Sequence, residues 1–175
     1  ISHTLCESSQ QGGRPFVPKE SGKAFLHQEL NLEVVETLTR AGLPAVGVPA
    51  STIILTKGGR IISCNLEPIF SALELGVAPV SCGDVVFDRE RGFTVLSGDA
   101  IAAYLATRLR VKRLIYAVDV DGVYVRDRAT GRVVLAEELR PGMPIEPLGE
   151  AAEDVTGGIV GKREEGFRAA EKGVE

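Results

Sequence analysis

Leu26, Leu30, Val34 and Leu38 recur at every fourth position, with Phe25 and Val35 beside them. That spacing predicts an amphipathic helix over residues 24–41. Gly42 suits its C-terminal cap, and Pro44 prevents its continuation. The pattern then changes. AVGVPASTIIL reads as a buried extended segment, and TKGGR turns it back onto IISC as a hairpin. LEPIFSALELG predicts a short helix ending at Gly76. VAPVSCGDVVFD and FTVLS predict strands around an RERG turn, and GDAIAAYLATRLR a helix with Ile101, Leu105 and Leu109 on one face. RLIYAVDV predicts a strong buried strand, followed by VYV, a DRATG turn and RVVL. Residues 7–23 and 140–149 are rich in Gly, Pro or polar residues and read as loops. A last helix is predicted to begin near Gly161.

Strands alternate with helices, and RLIYAVDV and APVSC are apolar on both faces. The pattern predicts an α/β domain with a mostly parallel sheet covered by helices on both sides. No internal repeat, low-complexity segment or second domain is visible, so residues 1–175 read as one domain.

Composition narrows the function. The chain has 175 residues, 44% hydrophobic and 25% charged, with a net charge of −4. Acidic and basic residues are interspersed. There is no basic tract for nucleic acid or a membrane surface, and no apolar run of transmembrane length. Cys6, Cys64 and Cys82 are widely spaced and form no metal-binding pattern with His3 or His27. They read as reduced thiols.

Four segments place Gly beside Asp or Lys at a strand end or helix start. In DVTGGIVGK, the glycines admit an anion to backbone N–H groups and Lys162 adds a full positive charge. The stretch is not a Walker loop, because Thr156 stands at the first glycine position and Arg163 follows the lysine. Taken alone, it is equally a loop capped into a helix. In LSGDAIAAYLA, Ser97 is a natural N-cap and Asp99 suits the helix dipole. That alone explains the pair, while a functional reading gives Gly98 to a phosphate and Asp99 to the lysines. In AVDVDGVYVRD, Asp119 and Asp121 close a strand, where a metal, a ribose hydroxyl or an ordinary turn would use them. In PVSCGDVVFD, Gly83 and Asp84 follow an apolar run, and taken alone Asp84 reads first as a turn residue. No Ser-His-Asp arrangement is visible, and mid-helix His27 reads as a surface or packing residue.

In this order, the segments PVSCGDVVFD, LSGDAIAAYLA, AVDVDGVYVRD and DVTGGIVGK resemble the amino acid kinase superfamily. The CGDVV and SGD forms resemble its isopentenyl phosphate kinase branch. Uridylate kinases usually carry TTD at the second motif, and glutamate 5-kinases share a related glycine-rich last motif. The match runs from about residue 24 to residue 175. It implies a three-layer αβα sandwich and ATP-dependent phosphorylation of isopentenyl phosphate, with Mg²⁺, by a cytoplasmic homodimer of the mevalonate pathway. Neither nucleic acid nor membrane is an expected partner. It implies that Lys162 and Asp99 are catalytic, that Asp119, Asp121, Gly157, Gly158 and Lys162 bind ATP, and that Gly83 and Gly98 contact the acceptor. The family's N-terminal lysine strand, its GGGSFGH-like segment and its last strands have no counterpart here, so the chain reads as a fragment. Another acceptor (uridylate, acetylglutamate, glutamate or a phosphonate) or a non-catalytic nucleotide-binding relative are the alternatives.

Overall fold

The structure, a computed structural model, describes residues 21–118, 120–127, 130–141, 143–145 and 158–175. Asp119, Thr156 and Gly157 lie outside them. Helix α1 spans Ser21–Arg40, close to the predicted range. Gly42, at φ +87°, follows it in the left-handed conformation its capping role requires. The predicted apolar stripe is not the buried face, because Leu30 and Val34 are 55% and 39% exposed. Asn31 is buried instead and donates from Nδ2 to the Val80 carbonyl at 3.2 Å. Gly47 makes room for it, since a Cβ there would lie 2.8 Å from Asn31 Oδ1. That buried hydrogen bond helps set the rotation of α1, leaving Leu30 and Val34 exposed while Val35 and Leu38 are half-buried.

β1 (Ala45–Gly47) pairs in parallel with β4 (Ala78–Val80). The predicted extended run is broken after Pro49 by the one-turn helix α2 (Ala50–Ile53), and resumes as β2 (Ile54–Lys57). β2 turns into β3 (Arg60–Cys64) through Gly58 and Gly59, at φ +59° and +83°. Positive φ at both positions is what a two-residue hairpin with the natural strand twist demands. α3 (Glu67–Glu74) leads to β4, and β5 (Asp84–Asp88) and β6 (Gly92–Leu96) form a second hairpin. α4 (Gly98–Leu109) follows, then the short antiparallel pair β7 (Tyr124–Arg126) and β8 (Val133–Leu135), then α5 (Gly158–Ala170).

The α/β class holds. Among the described residues, however, the expected single sheet is divided into three, with β3-β2-β5-β6 as the largest. Connections explain the strand directions. Pairs joined by short loops are antiparallel, whereas β1–β4 and β2–β5, joined through helices, are parallel. RLIYAVDV forms no strand among the described residues. Leu114 N–H bonds to the Glu175 carbonyl at 2.6 Å and Glu175 N–H to the Lys112 carbonyl at 3.1 Å, while Ile115 remains 76% exposed. Apolar composition favours burial, but a strand also needs a ladder partner.

Two apolar clusters hold the elements. The larger joins Ile53, Ile54, Ile69, Val86, Leu96 and Ile101, so α4 seats its predicted face on the mixed sheet. Burying a side chain such as Ile101 contributes about 1.5–3 kcal/mol. The smaller contains Ala103, Ala106, Ala169 and Val174, where short side chains let α4 and α5 approach closely. Asp88 ties the two hairpins together. Its Oδ1 accepts from the Gly58, Glu90 and Arg91 amides, and its Oδ2 from the Gly59 amide and Thr56 Oγ1, at 2.7–3.1 Å. Burial by itself raises the carboxyl's pKa, but these backbone and hydroxyl donors outweigh it and hold the group well below the usual aspartate range.

Candidate functional site

The close approach of α4 and α5 builds the site. Ser97 caps α4 as predicted, its Oγ accepting from the Ala100 amide at 3.1 Å. Gly98 and Asp99 therefore occupy the first turn, with amide hydrogens pointing out of the helix N-terminus. α5 starts at Gly158 rather than near Gly161, so Lys162 lies in its second turn and not at its opening. The Ala-lined contact brings that turn over the start of α4. Lys162 Nζ then lies 2.9 Å from both Asp99 carboxylate oxygens, with side-chain exposures of 32% and 16%. The pair is partly desolvated yet still open on one side to an incoming anion.

Gly83 and Gly98 meet at the same place. A Cβ on Gly83 would lie 3.1 Å from the Gly98 nitrogen and 3.3 Å from the Leu96 carbonyl oxygen, and one on Gly98 would lie 3.4 Å from the Gly83 nitrogen. The two loops thus pass backbone against backbone. Asp84, next in sequence, is not a simple turn residue. It is fully buried and accepts from the Ser51 amide at 2.9 Å and from its neighbour Val85, latching α2 to β5.

Tyr116 completes the floor. Its hydroxyl donates to the Asp99 backbone carbonyl at 3.3 Å, and its ring faces Gly166 on α5. Burial, then the nearby Asp99 and Glu165 carboxylates, push its pKa up to about 12. Beside Lys162 opens a cavity of about 370 Å³ walled by Tyr116, Val118, Val123, Leu139, Ile159 and Phe167. Its walls are almost wholly apolar, with Lys162 and Arg163 as cations at the edge. Such a slot suits a flat aromatic group whose charged substituent reaches the lysine.

The structure therefore brings together Lys162, Asp99, Gly98 and Gly83. Asp121 stands apart from that pair, exposed, with Tyr124 Oη at 3.4 Å, next to the Gly122 wall of the cavity. Gly158 opens α5, and the expectations for Asp119 and Gly157 lie outside the described residues. Sequence reasoning missed Tyr116 and Arg163. Tyr116 sat inside an apolar run and gave no polar signal. Arg163, whose guanidinium donates to the Met143 carbonyl at 3.1 Å, had been noted only as a departure from the Walker pattern.

The model of the amino acid kinase family matches residues 23–175. The chain belongs to the amino acid kinase family. An isopentenyl phosphate kinase of Methanothermobacter thermautotrophicus is 40% identical over 152 residues, covering 85% of this chain and 57% of that protein. One of Arabidopsis thaliana is 34% identical over 164 residues, covering 83% and 49%. A solved isopentenyl phosphate kinase structure superposes with a TM-score of 0.64 at 36% identity, over 84% of this chain and 55% of that one. The chain spans about half the length of the curated relatives it matches. Among the described residues, no helix is long and apolar enough to cross a membrane.

Proposed function

We propose that this chain carries the nucleotide-handling half of an ATP-dependent kinase that phosphorylates isopentenyl phosphate to isopentenyl diphosphate. The observation that carries the reading is the Lys162–Asp99 pair beside the Gly83–Gly98 crossing, with an apolar slot next to it. The likeness to isopentenyl phosphate kinases supports the acceptor.

The acceptor phosphate is already anionic near neutral pH, so no general base is needed. The bond from the γ-phosphorus to the β–γ bridging oxygen breaks, and one forms to an acceptor phosphate oxygen, releasing ADP. The obstacle is repulsion between anions, and positive charge held in position lowers it. Lys162 supplies that charge, and Asp99 keeps its ammonium aimed. The first-turn amides of α4, together with Gly83, leave backbone room for the acceptor phosphate. The base of ATP enters the apolar slot, and Asp119 and Asp121 border the nucleotide, with Gly157 and Gly158 against its phosphates.

Among the described residues, no three His, Cys, Asp or Glu side chains cluster. A divalent ion here would be held mainly by nucleotide phosphate oxygens and water, which suits Mg²⁺. When bound, it neutralises phosphate charge. The same reading makes the enzyme a cytoplasmic homodimer of isoprene biosynthesis.

The test is ADP release by the full polypeptide carrying this sequence, over isopentenyl phosphate, uridylate and acetylglutamate. A higher kcat/KM for either of the other two would withdraw the acceptor and leave only the family.

A further inference from the structure

α5 separates two cavities. Lys162, Gly166 and Phe167 face the apolar slot, whereas Glu165, Ala169 and Lys172 face a larger cavity of about 870 Å³ on the other side of the helix. Nothing in the proposed kinase chemistry uses that second cavity. Its inner wall includes Ile61, Leu96, Ala100, Ala103 and Ala169. Its remaining lining is rich in cations: Arg60 from the hairpin, Arg108 and Arg110 from the end of α4, and Arg168 and Lys172 from α5.

The charges do not cancel. Among the described residues of the lining, Glu165 is the one carboxylate, and it is taken by Arg168 at 2.6 Å. Arg60, Arg108, Arg110 and Lys172 form no salt bridge with the described residues. Arg108 lies over the Tyr104 ring, 5.3 Å from its centroid, and donates from Nε to the Tyr104 hydroxyl at 3.2 Å. Arg60, Arg108, Arg110 and Lys172, all solvent-exposed, thus border one cavity without a salt bridge among the described residues, in a chain whose net charge is −4. Like charges gathered without partners repel one another, and an anion relieves that repulsion.

Backbone geometry points the same way. Arg110 is the C-cap of α4, at φ 52° and ψ 45°, and it is the one non-glycine residue with positive φ among those described. Glycine is favoured at that position, and a long side chain there costs backbone energy. The residue in this strained cap lines the cavity.

We propose that this cavity is a second ligand site, taking an organic phosphate with an apolar tail, the tail on the Ile61–Leu96–Ala103 wall and the phosphate among Arg60, Arg108, Arg110 and Lys172. The volume lies within the range of small-molecule sites. An anion without a tail leaves the apolar wall wet, and a tail without an anion leaves the cations unpaired. The site therefore prefers molecules with both.

Calorimetry on the full polypeptide tests this with n-octyl phosphate, n-hexyl phosphate, inorganic phosphate and octanol as probes. Octyl phosphate binds tightest, each added methylene tightening it about fourfold, and added salt weakens binding. Arg60→Ala and Lys172→Ala each weaken it at least about tenfold, as loss of a charge-assisted contact does. Arg110→Gly weakens binding similarly while holding or raising Tm, because it removes the strained side chain. Octyl phosphate also fits the proposed acceptor site, so two binding events are expected, and Lys162→Ala and saturating ADP leave unchanged the one that Arg60→Ala and Lys172→Ala weaken.

Failure to bind octyl phosphate, or equal affinity for inorganic phosphate, overturns the proposal. So does loss of binding in Lys162→Ala with retention in Arg110→Gly and Lys172→Ala, which would put the ligand in the other cavity. Phosphatidate-containing vesicles distinguish a membrane headgroup from a free amphiphile. Binding to those vesicles without binding to monomeric octyl phosphate also overturns it.

Discussion

The Lys162 ammonium lies 2.9 Å from both carboxylate oxygens of Asp99, across 63 residues of sequence. Neither helix alone needs this pair. Ser97 already caps α4, and the first-turn acid adds only the dipole contribution, about 0.3–1 kcal/mol. An aspartate chelating a lysine that is still partly exposed is a way of aiming a charge rather than cancelling it. The arrangement gives separate expectations for stability and turnover.

Asp99→Asn is expected to keep the fold, losing the dipole contribution and the Lys162 pairing in stability, while lowering kcat at least about 100-fold, since a misaimed charge no longer matches the transition state. Melting and steady-state kinetics on one preparation separate the two effects. A lowered Tm with unchanged kcat would return Asp99 to a helix-capping role.

Lys162→Ala is expected to lose about 3–4 kcal/mol of transition-state stabilisation, as removal of one well-placed donor does. The double variant with Asp99→Asn should be little worse than Lys162→Ala alone, because Asp99 acts through the lysine. Fully multiplicative losses would mean that the two residues act independently.

The two glycines of the site predict opposite responses. A methyl on Gly83 would press on backbone at 3.1 and 3.3 Å, where nothing flexible can move aside. Gly83→Ala is expected to destabilise by about 1–3 kcal/mol. A methyl on Gly98 meets only the Gly83 nitrogen at 3.4 Å, an ordinary contact, and alanine favours the helix. Gly98→Ala should keep Tm and raise KM for the acceptor if a phosphate approaches there. Equal melting temperatures for the two variants would contradict the crossing.

The parts of this site that were legible in sequence are those whose residue types have few other uses. A glycine before an aspartate at the head of an apolar helix, and a lysine after clustered glycines, both point to anions, and the fold brings them together. What stayed hidden depends on distant contacts. Asp88 ends a predicted strand and carries no local signal of its role, yet it collects amides from two hairpins. The stripe on α1 was read from periodicity, but the buried Asn31–Val80 bond turns the helix another way. RLIYAVDV has strand composition, but pairing depends on a neighbour that no local pattern encodes.

Asp88 sets an acid limit. Its carboxyl is depressed below the ordinary aspartate value, so its stabilisation is present above about pH 4 and is lost as pH falls toward the folded value. Asp88→Asn should lower Tm near neutral pH, and the gap to the parent chain should narrow on acidification. Urea midpoints for both proteins from pH 7 downward measure this. A gap independent of pH would mean that the carboxylate charge contributes nothing.

Tyr116 sets the alkaline counterpart and reports on the site itself. Burial is the largest cause of its raised pKa, followed by the Asp99 and Glu165 charges. The folded value, about 12, lies above the unfolded tyrosine value of about 10. The stabilising contribution is therefore full below about pH 10 and disappears as pH rises through the folded value. The difference in tyrosinate absorbance between the parent chain and Tyr116→Phe should isolate a midpoint near 12 in the folded protein, moving down in denaturant. In Asp99→Asn that midpoint should fall, because one repelling charge is gone. It should still stay above the unfolded value, because burial remains. A midpoint unmoved by Asp99→Asn would place the carboxylate too far from Tyr116 for the geometry described, and the Lys162 pairing would lose its anchor with it.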